Sequence, residues 1–127
     1  MKSVLIIDDN KDFADTLAVL LQLKGVATQV AYTPVTGINV AEQMQPDIIV
    51  LDIGLPVIDG YAVARQLRRN SSLRKTVLIA VTGHATEDDR QRALANGFDL
   101  HCKKPLNRGD LRRILETAHR TEPLSAK

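Results

Sequence analysis

Three carboxylates, a hydroxyl and an ammonium stand at the ends of apolar stretches. Asp8 and Asp9 follow Val4-Leu5-Ile6-Ile7, Asp52 closes Ile48-Ile49-Val50-Leu51, Thr82 follows Val77 to Val81, and Lys104 comes just after Phe98 to Cys102. A strand as apolar as residues 48–51 is buried on both faces, so Asp52 emerges where the core meets a crevice. An unpaired carboxylate there costs several kcal/mol, which asks what else arrives at that end.

Taken singly, each residue has a plain structural explanation. Asp8 and Asp9 can cap a helix, Asp52 can end a strand in a turn, Thr82 can bond the backbone, and a lysine before proline is usually a surface charge. In an open α/β sheet, however, ligands bind outside the carboxyl ends of the strands, where all five would converge. Three carboxylates and one ammonium leave a local charge near −2, and like charges within ~4–6 Å oppose one another's ionisation unless a cation relieves them. An all-oxygen set without His or Cys suits a hard ion such as Mg²⁺, which uses one or two carboxylates plus water and a phosphoryl oxygen. A lysine and a hydroxyl add donors to that phosphoryl group, and a carboxylate between cation and lysine can act as a nucleophile toward phosphorus.

The elements that position these groups are legible in turn. After the first strand, Phe13, Leu17, Leu20 and Leu21 recur at helical spacing until Gly25. Val26 to Ala31 alternates as an edge strand does, Thr33-Pro34 opens a second helix along Gly37, Val40, Ala41 and Met44, and Pro46 closes it. Beyond the turn-rich loop 53–60, Tyr61, Ala64 and Leu67 mark a third helix with Arg65, Arg68 and Arg69 on its other side. Residues 70–75 form a polar connector. Thr86 and Asp89 form a capping-box pattern before a helix with a thin apolar face that stops at Asn96-Gly97, a candidate for movement. A fifth strand over Phe98 to Cys102 precedes Lys103-Lys104-Pro105, and Asn107 caps a last helix through Leu111, Ile114, Leu115 and Ala118. Five strands alternating with five helices predict a parallel sheet covered on both faces, a three-layer α/β sandwich.

Composition bounds the reading. A chain of 127 residues with 44% hydrophobic and 25% charged residues fits one globular domain, and its four aromatic residues leave the core to aliphatic side chains. A single cysteine, Cys102, excludes an internal disulfide; four apolar residues before Asp8 are too few for a signal or membrane segment, so a cytoplasmic protein is expected. Residues 1–60 carry 3 basic and 8 acidic side chains, and residues 61–127 carry 14 and 7. No recognition motif accompanies the basic half, so direct nucleic-acid binding is not expected.

The ordered motifs Asp8-Asp9, Asp52, Gly54-Leu55-Pro56 with Asp59-Gly60, Thr82-Gly83 and Lys104-Pro105 make the chain, from Ser3 to about His119, resemble a response-regulator receiver domain of two-component signalling. The tract from Thr82 through Lys104 also resembles receivers carried on hybrid sensor kinases. The resemblance implies a flavodoxin-like (βα)5 fold of strand order 2-1-3-4-5, given by the family's chemotaxis member, with a receiver domain over residues 1–120 and a frayed tail over 121–127. It implies that Asp52 accepts a phosphoryl group from a histidine kinase or phosphotransfer protein. Asp9, Asp52 and the backbone carbonyl of Gly54 would hold Mg²⁺, with Asp8 joining through water. Thr82 would bond the phosphoryl oxygen, and Lys104, followed by a cis bond to Pro105, would neutralise another. The residues alone do not choose Lys104 over Lys103; the family motif does.

Three positions depart from the family pattern or fall where it gives little guidance. The fifth-strand switch position, usually Tyr or Phe, is His101, which is planar yet titrates near neutral pH. Gly54 and His84, two residues after Asp52 and Thr82, sit where the family tunes hydrolysis of the phosphoryl group. Cys102 and His119 read as a packed apolar residue and a surface residue. The expected output is a surface around helix 4, strand 5 and helix 5, read by an unknown downstream protein, because no room remains after the last helix for an effector domain. A monomer or a phosphorylation-dependent dimer is expected. Two other readings stand beside this one: a pseudo-receiver that binds partners without phosphotransfer, and a Mg²⁺-dependent phosphohydrolase, which would want a second acid two residues after its nucleophile where this chain has Gly54 or Asn10.

Overall fold

The computed structural model describes residues 2–54, 59–83 and 86–118 of the chain. Strands β1 (Ser3–Ile7), β2 (Ala27–Ala31), β3 (Ile48–Asp52), β4 (Val77–Thr82) and β5 (Leu100–Lys103) alternate with helices α1 (Lys11–Leu23), α2 (Pro34–Met44), α3 (Gly60–Arg69), α4 (Glu87–Ala95) and α5 (Arg108–Ala118). The strands are parallel in the order 2-1-3-4-5, the flavodoxin-like topology expected.

Alternation along the strands divides the core in two. Leu5, Ile7, Ile49, Leu51, Leu78 and Ala80 face one layer with Ala41, Ala64, Leu67 and Ala93 of α2, α3 and α4. Val4, Ile6, Ile48, Val50, Ile79 and Val81 face the other with Leu17 and Leu21 of α1 and Ile114 of α5. Because each fully buried aliphatic side chain contributes about 1.5–3 kcal/mol, the central strands anchor the sheet. The caps read from the sequence are present: Asn10, Thr33 and Asp59 accept from the backbone N–H groups of Phe13, Thr36 and Tyr61, and Thr86 and Asp89 form a reciprocal box.

Two expectations are corrected. The fifth strand begins at Leu100 rather than Phe98. The Phe98 N–H instead bonds the Ala93 carbonyl at 3.1 Å, so Phe98 ends the turn after α4 and packs edge-on against Tyr61. The polar connector also contains a 3-10 helix, Ser71–Leu73, whose Leu73 is buried. His84, His119, Leu55 and Pro56 of the loop motif, and the tail 121–127 lie outside the described residues.

Candidate functional site

Parallel pairing brings the carboxyl ends of β1, β3, β4 and β5 to one edge of the sheet. Asp8 leaves β1 there, its N–H bonded to the Ala31 carbonyl and its Oδ1 accepting from Asn10 N–H at 2.9 Å. Asp52 ends β3 with Oδ1 accepting from Gly54 N–H at 2.8 Å. Asp8 and Asp52 are 1% and 8% exposed, whereas Asp9 is open to solvent. One oxygen from each of the three carboxylates falls within a group whose members lie within 4.8 Å of one another.

Lys104 closes the group. Its Nζ is 2.7 Å from Asp8 Oδ2 and 3.2 Å from Asp52 Oδ2, and it stands over the Phe13 ring, 4.3 Å from the centroid. The Lys104 N–H donates to the Thr82 carbonyl at 2.8 Å, and the Lys104-Pro105 bond is cis. Lys103 is exposed, so packing, not the local sequence, separates the two lysines. Thr82 is buried one residue beyond the Asp52–Val81 pair, at the same edge.

The charges are unequal. Burial is the main cause that pushes the Asp8 carboxyl above its ordinary range, with the Asp52 charge acting the same way against Lys104 and the Asn10 N–H. Burial works against the Lys104 ammonium, but bonds and charge from Asp8 and Asp52 outweigh it and hold the amine above its usual value. One ammonium does not balance three carboxylates, and these oxygen-only donors fit a hard divalent cation; Asp8, Asp9 and Asp52 are the residues that would hold it.

His101 pairs with Ala80, so it shares a sheet face with Thr82 two residues further along β4. Its Nε2 is closed off from solvent and has no hydrogen-bond partner among the described residues. Burial is the main cause that lowers its pKa, while Asp89 and Arg90 of α4 pull in opposite directions. Sequence reasoning placed Phe13 in the helix core and missed its position under Lys104. Its only signal was its place in the first turn after Asp8-Asp9.

A family model for the response regulator receiver domain matches residues 4–116. The chain belongs to the response regulator receiver domain family. The polar-differentiation response regulator DivK of Brucella ovis is 30% identical over 116 residues, covering 91% of this chain and 92% of that protein. The hybrid signal transduction histidine kinase D of Dictyostelium discoideum is 45% identical over 67 residues, half of this chain but only 4% of the kinase. The signal receiver domain of a DNA-binding response regulator from Colwellia psychrerythraea superposes with a TM-score of 0.84 at 29% identity, over 91% of this chain and 96% of that one. Receiver domains serve two-component signalling and phosphorelay, generally binding Mg²⁺ at an acidic cluster of the kind Asp8, Asp9 and Asp52 form. No described helix of this receiver is long and apolar enough to cross a membrane.

Proposed function

We propose that Asp52 is the phosphoacceptor of this receiver, taking a phosphoryl group from a histidine kinase or a phosphotransfer protein. The observation that carries the reading is the Lys104 ammonium shared between Asp8 and Asp52, in a cluster that remains negative overall. Asp52, like Asp8, has a backbone donor on Oδ1 and the ammonium at Oδ2, and of the three carboxylates it alone sits on the central strand β3.

In the transfer, an Asp52 oxygen attacks the phosphorus of a phosphohistidine. A P–O bond forms as the P–N bond breaks, and the electron pair leaves on the donor imidazole, which takes up a proton. Lys104 neutralises a phosphoryl oxygen and the Thr82 hydroxyl bonds another. Asp9, Asp52 and the Gly54 carbonyl would hold Mg²⁺, with Asp8 joining through water, and the ion would supply charge neutralisation there. Hydrolysis, which returns Asp52 and inorganic phosphate, is tuned at Gly54 and at His84. The domain is therefore a regulatory phosphoacceptor rather than an enzyme acting on other substrates.

Neutralising the site biases Thr82, α4 and His101, and the changed α4-β5-α5 surface meets a downstream protein. α4 suits this role because Ala93 is its only buried side chain among those described. The receiver spans residues 1–120 and works in the cytoplasm, without membrane insertion or direct nucleic-acid contact.

The test is incubation with Mg²⁺ and acetyl phosphate followed by intact mass. One base-labile phosphoryl adduct is expected, absent in Asp52→Asn and lost with chelator. No adduct, with a cognate kinase also failing to phosphorylate the chain, would favour the pseudo-receiver reading. An adduct that survives Asp52→Asn would place the acceptor elsewhere.

A further inference from the structure

Phe13 stands at the phosphoacceptor site without a part in the chemistry described so far. Its ring lies under the Lys104 ammonium, with Nζ 4.3 Å from the centroid. Core packing accounts for some of this placement, since the half-buried side chain also rests against the layer that holds Leu17, Cys102 and Ile114. Packing does not account for the hydrogen-bonded path that ties the ring to the site. Asp8 Oδ1 accepts from the Asn10 N–H at 2.9 Å, and Asn10 Oδ1 accepts from the Phe13 N–H at 3.1 Å. The segment that orients the Asp8 carboxylate thus also starts α1, and it places the ring on the same ammonium that Asp8 meets at 2.7 Å.

A lysine ammonium is a point charge with three rotatable donors on a flexible stem, so something must fix where it sits. Asp8 Oδ2 and Asp52 Oδ2 engage it from the carboxylate cluster, and the Phe13 ring meets it with the negative face of its quadrupole. The Lys104 side chain is only 19% exposed, so little water competes for that contact. A ring differs from a third carboxylate in two ways that matter for transfer. It attracts the cation without adding negative charge against an entering phosphoryl group, and it has no lone pair that fixes the direction of an N–H. The ammonium can therefore release the Asp52 oxygen and take a phosphoryl oxygen without leaving its seat. We propose that Phe13 is a positioning residue for phosphoryl transfer: its ring holds the Lys104 ammonium beside Asp52 while the amine exchanges an Asp52 oxygen for an oxygen of the entering group. Holding the charge in place spares the transition state the cost of ordering a long side chain. The role rests on the reading of Asp52 as phosphoacceptor and acts through Lys104.

Two measurements on the full chain test this. Without phosphodonor, nuclear magnetic resonance should place the Lys104 ε-methylene protons upfield of their position in Phe13→Leu, as protons over a ring face are. With Mg²⁺ and acetyl phosphate, read by intact mass, Phe13→Leu should form the Asp52 adduct about tenfold more slowly, a smaller loss than removing the amine itself. In a Lys104→Met background the same substitution should change the rate by less than about twofold, because the group it positions is gone. Progressive fluorination of the Phe13 ring keeps its shape and its packing but drains its face, so the rate should fall in graded steps. Equal slowing in both backgrounds, a rate indifferent to fluorination, or ε-methylene protons unshifted by the ring would each overturn the assignment while the adduct at Asp52 still forms. No adduct on the native chain, or one that survives Asp52→Asn, fails the phosphoacceptor reading instead and takes the role of Phe13 with it.

Discussion

Arg68 Nη2 lies 2.7 Å from Asp99 Oδ2, and this pair ties α3 to the turn between α4 and β5. The rest of the guanidinium is also engaged: Nε donates to the Gly97 carbonyl at 2.9 Å and Nη1 to the Thr76 carbonyl at 2.6 Å. Asp99 in turn accepts from the Leu78 N–H at 2.9 Å, so one arginine holds the start of β4 and the end of α4 together.

Arg68→Ala is therefore expected to lower stability by about 2–3 kcal/mol, because it takes a donor from the Gly97 and Thr76 carbonyls and the Asp99 carboxylate, and the longer contacts to the Leu73 and Arg74 carbonyls go with it. Arg65→Ala, which loses one exposed contact to Asn96, should change stability by less than about 0.5 kcal/mol. Urea denaturation of the two variants checks the difference. Equal effects would mean that water replaces Arg68 at no cost.

Replacing Lys104 should separate two properties of the site. In Lys104→Met the cluster loses its ammonium, so calorimetry should show Mg²⁺ binding several-fold more tightly. The rate of adduct formation with acetyl phosphate should fall by about 10²-fold, the usual scale for losing one donor to a developing oxyanion. Weaker Mg²⁺ binding in the variant would mean that Lys104 acts mainly by shaping the carboxylates.

His101 makes stability depend on pH in a defined direction. Its folded pKa lies below the ordinary value of 6.5, so the unfolded chain binds the proton more readily. Its contribution is fully present above about pH 6.5 and is lost as pH falls through the folded pKa. Melting temperatures of the native chain should decline between pH 7.5 and 5.5 more than those of His101→Phe, in which the orphaned Nε2 is gone. Parallel declines would assign the acid sensitivity to other groups.

Cys102 should resist alkylation. Burial pushes its thiol up to about 11, with Asp110 adding to the effect and Arg113 opposing it. At pH 8 the thiolate fraction is then about 10⁻³, and the sulfur is covered as well. Iodoacetamide at pH 8 should label the native chain at least about 100-fold more slowly than the urea-unfolded chain, read by intact mass. Labelling at the unfolded rate would place the sulfur at the surface.

Much of this architecture follows from local patterns. The apolar runs at 4–7, 48–51 and 77–81 are long enough and pure enough to be strands buried on both faces, and the intervening helical spacing makes the sheet parallel. Asn10, Thr33, Asp59 and Thr86 mark helix starts because a cap is a contact between near neighbours. Convergence of Asp8, Asp9, Asp52, Thr82 and Lys104 followed from chain order, since parallel strands share one carboxyl edge.

What the chain order could not settle depends on distant partners. Lys103 and Lys104 are chemically alike, and only the position of β5 against β4 sends one to solvent and the other onto Asp8 and Asp52. Phe98 reads as a strand residue, yet its N–H is taken by Ala93 and its ring by Tyr61. Arg68 reads as one of three surface arginines until Asp99 and the carbonyls of Gly97 and Thr76 arrive from other parts of the chain. The closed-off Nε2 of His101 is likewise a property of packing around the sheet face that it shares with Thr82. The sequence by itself determined which groups reach the carboxyl edge, because strand periodicity and connectivity are local. The tertiary structure decided which of them pair, because a salt bridge or a desolvated imidazole depends on distances between segments far apart in the chain.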